Sequence, residues 1–383
     1  MTPGPLTPLA GVTKIAAGVD RGDPGYGFDS GEYQHALALR ADGTVWGWGH
    51  EQYGNELGGS CPNQDGISSV LKFCMFPILV PGLSNIVDVS TNGWVTMALK
   101  SDGTVLMMGV NTFGQLGDGS TTNRSAPVQV VGLTGVTAIA AGVQHALALK
   151  SDGTVWAWGD NANGQLGNGT MTASSTPVQV SSLTGVVAIA ASYQYSLAMK
   201  SDGSVWAWGK NDAGQLGDGT NTDRLIPTPV VGLGVATQIS AGFQHALAIK
   251  TNGSVMAWGL NANGQLGDGT QNNRSTPVQV VGLSNVASIA AGKTHSVAVV
   301  TDGGVYAWGG GNVYPNSGVT YLPNQLLPIH VAGPAGEPYL DLNALDPASA
   351  FTSQTNVPLN TLRTSNTATF VGIAPGSMVS VTG

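Results

Sequence analysis

Apolar and polar positions recur along this chain with a period of 50 residues, and the segment from Val136 to Val180 holds one full period. Four apolar runs stand in it: VTAIAA from Val136 to Ala141, HALAL from His145 to Leu149, TVWAW from Thr154 to Trp158, and VQV from Val178 to Val180. Each run is short, rich in β-branched, aromatic or small apolar residues, and bounded by Gly, Asn, Asp or Ser, which predicts four strands. Alternation along the second run sets His145, Leu147 and Leu149 on one face and Ala146 and Ala148 on the other. A sheet with one wet face would carry polar residues at every second position. Here both faces are apolar, one bulky and one small, which predicts sheets stacked face to face.

The quartet is copied along the chain. Trp46, Leu106, Trp156, Trp206, Met256 and Tyr306 occupy one position, spaced 60, 50, 50, 50 and 50 residues apart. Six quartets follow: Val12 to Val80, Ile86 to Val130, Val136 to Val180, Val186 to Val230, Ala236 to Val280, and Val286 to Val331. The second and third strands are joined by Lys150-Ser151-Asp152-Gly153 and its copies, and Asp-Gly between alternating strands predicts a type I′ turn with positive φ at both central residues. The third strand leads into Gln165-Leu166-Gly167, repeated at Gln115-Leu116-Gly117, Gln215-Leu216-Gly217 and Gln265-Leu266-Gly267; it reads Glu56-Leu57-Gly58 in the first copy and is lost in the sixth. Pro77, Pro127, Pro177, Pro227, Pro277 and Pro328 are placed to open the fourth strand, as suits an edge. A linear stack of such units would need polar caps, which neither end shows. Radial repetition of four-stranded antiparallel units is a β-propeller. The all-β propeller is therefore assigned to residues 1–333, with six blades, and a β-rich tail to residues 334–383.

Composition narrows the function. Charged residues make up 9% of the chain, against a usual share of about 25%. The net charge of −8 and the absence of any Lys/Arg run argue against a nucleic-acid surface. No apolar run approaches the roughly 20 residues that span a bilayer, so membrane insertion is not expected. The start, MTPGPLTPLAG, shows no basic segment followed by an apolar one, so no secretory signal is visible in it.

Three motifs recur in fixed order: G-x-x-H-x-x-A-[LI], then DG-x-V-[WY]-[AG]-W-G, then N-x-x-GQLG-[DN]-G. Over residues 3–333 they resemble the regulator of chromosome condensation repeat. The resemblance implies a propeller, usually of seven blades; six copies are present, and six blades are expected. Taken literally it also implies nucleotide exchange on a small GTPase or chromatin binding, which the negative charge and the lack of a basic tail disfavour. The tail, FTSQTNVPLNTLRTSNTATFVGIAPGSMVSVTG, resembles the first half of the immunoglobulin-like modules of bacterial surface proteins. It is expected to be an incomplete β-sandwich that continues beyond Gly383, or a segment that donates strands to a neighbour.

Candidate chemistry is sparse. His35, His145, His245 and His295 share one position, with Val95 and Tyr195 in the other copies. A catalytic histidine would be singular, and no nucleophile stands beside these, so they read as buried structural imidazoles bonded to backbone between strands, and no catalytic residue is assigned. Trp48, Trp158, Trp208, Trp258 and Trp308 likewise read as repeat packing. The segment from Asp160 to Gly164 looks like a calcium loop, but Ala162 and Gly164 fall where oxygen ligands belong and the closing glutamate is missing. A structural turn is expected, with no metal and no cofactor. Arg40, Lys100, Lys150, Lys200 and Lys250 precede the hairpins and form a solvated rim of weak ion pairs.

The first copy departs from the pattern twice. Its loop between the first two strands grows to residues 19–32, and its loop between the third and fourth strands to residues 50–76. Both leave one end of an up-and-down sheet, and aromatic residues among acids suit an interface on a rigid scaffold. Asp20, Arg21, Asp23, Tyr26, Phe28, Asp29, Glu32, Tyr53, Phe73 and Phe76 are the candidate partner-binding residues. Cys61 and Cys74 lie in the second insertion, where a disulfide is preferred to two separate thiols and would imply an oxidising compartment. The sequence thus predicts a non-enzymatic protein-interaction propeller, bacterial and secreted or at the cell surface. The alternative is a subunit of a surface assembly that self-associates through its tail.

Overall fold

The computed structural model describes residues 9–18, 35–52, 57–58, 71–310 and 324–331. Asp20, Arg21, Asp23, Tyr26, Phe28, Asp29, Glu32, Tyr53, Cys61 and the tail from residue 334 lie outside them. Six four-stranded antiparallel sheets, each in simple sequence order, make a β-propeller. Blade one holds β1 (Val12–Ala17), β2 (His35–Arg40), β3 (Val45–Gln52) and β4 (Leu71–Leu79). Blade two holds β5 (Ile86–Thr91), β6 (Val95–Lys100), β7 (Val105–Gly109) and β8 (Arg124–Gln129). Blade three holds β9 (Val136–Ala141), β10 (His145–Lys150), β11 (Val155–Gly159) and β12 (Ser174–Gln179). Blade four holds β13 (Val186–Ala191), β14 (Tyr195–Lys200), β15 (Val205–Gly209) and β16 (Arg224–Pro229). Blade five holds β17 (Ala236–Ala241), β18 (His245–Lys250), β19 (Val255–Gly259) and β20 (Arg274–Gln279). Blade six holds β21 (Val286–Ala291), β22 (His295–Val300), β23 (Val305–Gly309) and β24 (Gln325–His330).

The bulky-and-small alternation fixes how blades stack. In blade three, Ala146 and Ala148 face blade two, where they pack with Met97, Leu99 and Leu116 under Trp158. Leu147 and Leu149, on the opposite face, join Ile189 and Trp208 of blade four. Small residues on one face leave room for the branched side chains and the indole of the neighbour, which is what interior packing density demands. Among the described residues, cores of this kind join blade one to two, two to three, three to four, four to five and five to six. The first strands of successive blades touch in series from β1 to β21, and no packing of that extent joins β21 or β22 to β1.

Three local readings are corrected. The hairpin is not type I′. Asp152 keeps a negative φ and only Gly153 is left-handed, at 76°. Gly153 N–H donates to the Lys150 carbonyl at 2.9 Å, and Lys150 N–H to the Thr154 carbonyl at 2.9 Å. The Asp152 carboxylate accepts from the Thr154 amide at 3.0 Å and its hydroxyl at 2.6 Å. That side-chain bond holds Asp152 right-handed, leaving a three-residue loop closed by glycine.

The fourth strand starts earlier than VQV: Pro127, Pro177, Pro227, Pro277 and Pro328 stand fourth in their strands, not first. In blade three the ladder breaks its register between Ala157 and Gly159, opposite that stretch, so the missing proline N–H leaves no ladder bond unmade. In blade one, residues 50–52 and 71–73 extend the β3–β4 ladder rather than forming loop, with His50 opposite Phe73 and Gln52 opposite Leu71.

Candidate interaction face

The blades present their loops on a rigid mount, and the repeated histidines are part of it. His145 Nε2 lies 2.9 Å from Ser196 Oγ of the next blade, and His245 Nε2 lies 2.9 Å from Ser296 Oγ. Each serine hydroxyl donates its own hydrogen to a carbonyl, Ser196 to Gln165 at 3.0 Å and Ser296 to Gln265 at 2.8 Å. The imidazoles are therefore Nε2–H donors, and Nδ1 is buried without a partner in both. Burial pushes His145 and His245 down to about 3, and the more exposed His295 to about 4, because a buried imidazolium would lose its hydration. The bond runs to a side-chain hydroxyl across the blade interface, not to backbone within a sheet. In blade one, Thr91 Oγ1 lies 2.8 Å and Thr96 Oγ1 3.1 Å from His35 Nε2.

The same glutamine carbonyls hold the indoles. Trp158 donates to Gln115 O at 2.9 Å, Trp208 to Gln165 at 2.9 Å, Trp258 to Gln215 at 3.0 Å and Trp308 to Gln265 at 2.9 Å. Gly167 shows why the loop reads Gln-Leu-Gly: a Cβ there would sit 2.7 Å from the Trp208 indole nitrogen. The first tryptophan of each pair behaves differently. Trp156 and Trp206 are half-buried, with Lys150 and Lys200 over their rings at 5.8 and 4.3 Å.

The segment that resembles a calcium loop is organised by an asparagine. Asn161, fully buried, accepts from the Leu166 amide at 2.9 Å, and its own amide donates to the Thr170 and Thr172 carbonyls at 3.0 and 3.1 Å. Asn111, Asn211 and Asn261 repeat the arrangement. Arg124, Arg224 and Arg274 brace the following turn through Asp118, Asp218 and Asp268. Among the described residues, no cluster of three acidic, histidine or cysteine side chains is placed to hold a metal.

Function then falls to the loops. Antiparallel order brings the end of β1, the start of β2, the end of β3 and the start of β4 to one end of blade one, where Gly18 N–H meets the His35 carbonyl at 3.2 Å and His35 pairs with Gly49. The two insertions of blade one leave from that end. Phe76, on the fourth strand, is 37% exposed; Phe73 is in β4, and Cys74 beside it is buried. Strand order places the equivalent loops of the other blades at the same end. These carry a stacked Tyr193–Phe243 pair, 4.4 Å between ring centres and 17° apart, with Lys210 5.9 Å from the Tyr193 ring. Lys210 pairs with Asp212, which also accepts from Gln244 at 3.1 Å. This aromatic and charged cluster was not singled out by sequence, because Tyr193 and Phe243 stand where other blades carry Gly93, Val143 and Lys293.

A disc of four-stranded blades held by inter-blade hydrogen bonds, with its sequence irregularities gathered at one end, is a propeller scaffold that presents loops. The chain belongs to the RCC1-like domain family: that family's profile matches residues 30–247, and the regulator of chromosome condensation repeat matches residues 252–299, and in a second form 236–265 and 286–314. The ultraviolet-B receptor UVR8 of Arabidopsis thaliana is 33% identical over 100 residues, 26% of this chain, and the match spans 20% of the receptor. Human WBSCR16 shares the fold with a TM-score of 0.68 at 23% identity, covering 84% of this chain and 83% of that one. Yeast RCC1 (Prp20), solved bound to Kap60, gives 0.66 at 22% identity over 79% and 74%. A second structure of Prp20p from Saccharomyces cerevisiae, described with its binding to Gsp1p and histones, gives 0.66 at 23% over 79% and 76%.

Proposed function

We propose that this propeller is a non-enzymatic adaptor that captures a protein partner through the loops of blade one. The observation that carries the reading is the convergence of both insertions at one end of a single blade, on a scaffold whose other copies are nearly uniform. One similar scaffold, yeast RCC1 (Prp20), has been solved bound to Kap60. His145 and His245 are buried, neutral and bonded to a serine of the next blade, which supports a structural role over a catalytic one. Guanine nucleotide exchange and chromatin binding are weaker readings for a chain of net charge −8.

The reading places the protein outside the cell or on a bacterial surface, with Cys61 bonded to Cys74. Support for the pair comes from the insertion that holds both cysteines and from the burial of Cys74 in β4. Peptide mapping without reductant checks it: a linked Cys61–Cys74 peptide is expected, and two alkylatable thiols would overturn the compartment. Partner capture is tested by replacing Tyr26, Phe28, Phe73 and Phe76 together. Capture is expected to vanish while the thermal transition of the propeller is retained.

A further inference from the structure

Where blades three and four meet the blades that follow them, the loop glutamine is held by a carboxylate. Gln165 Nε2 donates to Asp160 Oδ2 at 2.8 Å, and Gln215 Nε2 to Asp212 Oδ1 at 3.1 Å. Asp212 also accepts from Gln244 of blade five at 3.1 Å and pairs with Lys210 at 3.1 Å, so one carboxylate closes the junction of blades four and five. The junction of blades five and six keeps donors and lacks the acid. Gln265 is fully buried, and its Nε2 has no partner. Its Oε1 accepts from the Asn263 amide at 2.9 Å, as that of Gln215 does from the Ala213 amide at 2.8 Å, so Gln265 Nε2 is turned towards the Ala262 position. Leu260 and Ala262 stand where blade four has Lys210 and Asp212. Thr294 takes the place of Gln244, and Lys293 beside it has no ion-pair partner among the described residues. The backbone matches the closed junction. A Cβ on Gly309 would lie 2.5 Å from the Thr294 carbonyl oxygen and 3.1 Å from Gln265 Cα; one on Gly259 would lie 2.4 Å from that of Gln244 and 3.2 Å from Gln215 Cα. Phe243, stacked on Tyr193, adjoins the same place, since its N–H donates to the Gly292 carbonyl at 3.1 Å.

We propose that this junction is a carboxylate-recognition site that takes an Asp or Glu side chain from an acidic peptide segment of a protein partner. The incoming carboxylate accepts from Gln265 Nε2 and the Thr294 hydroxyl and faces the Lys293 ammonium, supplying from outside what Asp212 supplies from within. Ala262 is exposed, so a partner side chain can reach this position. A buried amide donor left unmade costs free energy, and a ligand carboxylate removes that cost. Phe243, partly exposed, offers an apolar wall to the residue next to the acid. The adjoining stretch of chain, residues 311–323, contains no Asp or Glu and so has no carboxylate to give. Gln115 Nε2 is unpaired as well, but the equivalent positions of blade three hold Val143 and Gln144, neither of them a cation. The site lies at the loop end of the blades, uses none of the blade-one insertion residues, and stands or falls without them.

The full chain is titrated with the peptide acetyl-Leu-Asp-Gly-amide and, separately, with acetyl-Leu-Asn-Gly-amide and with acetate. Binding is followed by NMR at the Gln265 side-chain amide and the Lys293 and Thr294 backbone amides. Saturable shifts are expected with the aspartyl peptide, a several-fold weaker response with acetate, and none with the asparaginyl peptide. Lys293→Gln should weaken the aspartyl peptide several-fold. Ala262→Asp, which installs the carboxylate that blade four carries, should abolish its binding, with the circular dichroism of both variants that of the parent. No shift with the aspartyl peptide, an equal response to the asparaginyl one, or full binding by either variant would overturn the site. An acetate response equal to that of the peptide would make free carboxylates the ligand and overturn the peptide assignment.

Discussion

The imidazole of His145 lies wholly inside the molecule with its Nδ1 unpaired, so a proton there would bury a charge with nothing to accept from it. Its folded pKa, about 3, is below the ordinary 6.5, and His245 behaves alike. The unfolded chain therefore takes up protons first as pH falls. The stability these groups confer is complete above pH 6.5 and is lost as pH drops towards 3. Unfolding free energy should decline by about 1.4 kcal/mol per pH unit for each such histidine. Denaturant titrations between pH 6.5 and 4.5 check this, and His245→Gln should reduce the slope; an unchanged slope would contradict it.

The tryptophans separate by the same logic. Trp158→Ala and Trp208→Ala remove fully buried indoles and should cost roughly 3–5 kcal/mol, whereas Trp156→Ala, half-buried under a lysine, should cost clearly less. Equal losses in urea unfolding would contradict the packing described. The tryptophan and histidine positions were legible because they recur. The serine that serves each histidine was not, since Ser196 and Ser296 belong to the following repeat, where Ala146 and Ala246 stand in other copies. The covarying pair, histidine in one copy and hydroxyl in the next, is the signal that would have found them.

At the scale of the element, alternation located nearly every strand, because side chains of period two facing a neighbour on each side leave no freedom of register. Turn type was read wrongly for a local reason. Asp-Gly suits a type I′ turn, but Thr154 gives the Asp152 carboxylate two donors that hold it right-handed, and only Gly153 takes the left-handed position. Gly153→Ala should therefore cost about 1–2 kcal/mol, measurable by thermal unfolding, while Ser151→Ala should be near neutral. The extension of β3 and β4 by residues 50–52 and 71–73 was illegible because that insertion has no second copy against which to set a period. The Asn161 network escaped notice for the opposite reason: the loop was compared with a metal template, and its amide hydrogen bonds follow backbone geometry that a ligand pattern does not encode.

At the scale of the whole molecule, uniformity and irregularity divide the labour. Cores and indole docks recur from blade to blade, histidine–hydroxyl bonds join blades one to two, three to four and five to six, and together they support the scaffold. The place where the copy fails, the pair of insertions in blade one, is where binding is read. The two insertions share an end of one sheet, so a partner engaging one is within reach of the other. The most direct test compares partner binding by the unmodified chain with binding by the chain in which Tyr26, Phe28, Phe73 and Phe76 are replaced by alanine. The partner is first identified by affinity capture and mass spectrometry, and binding is then measured with purified components. The account predicts that binding is lost while circular dichroism and the thermal midpoint stay those of the parent; undiminished binding by the fourfold variant would contradict it.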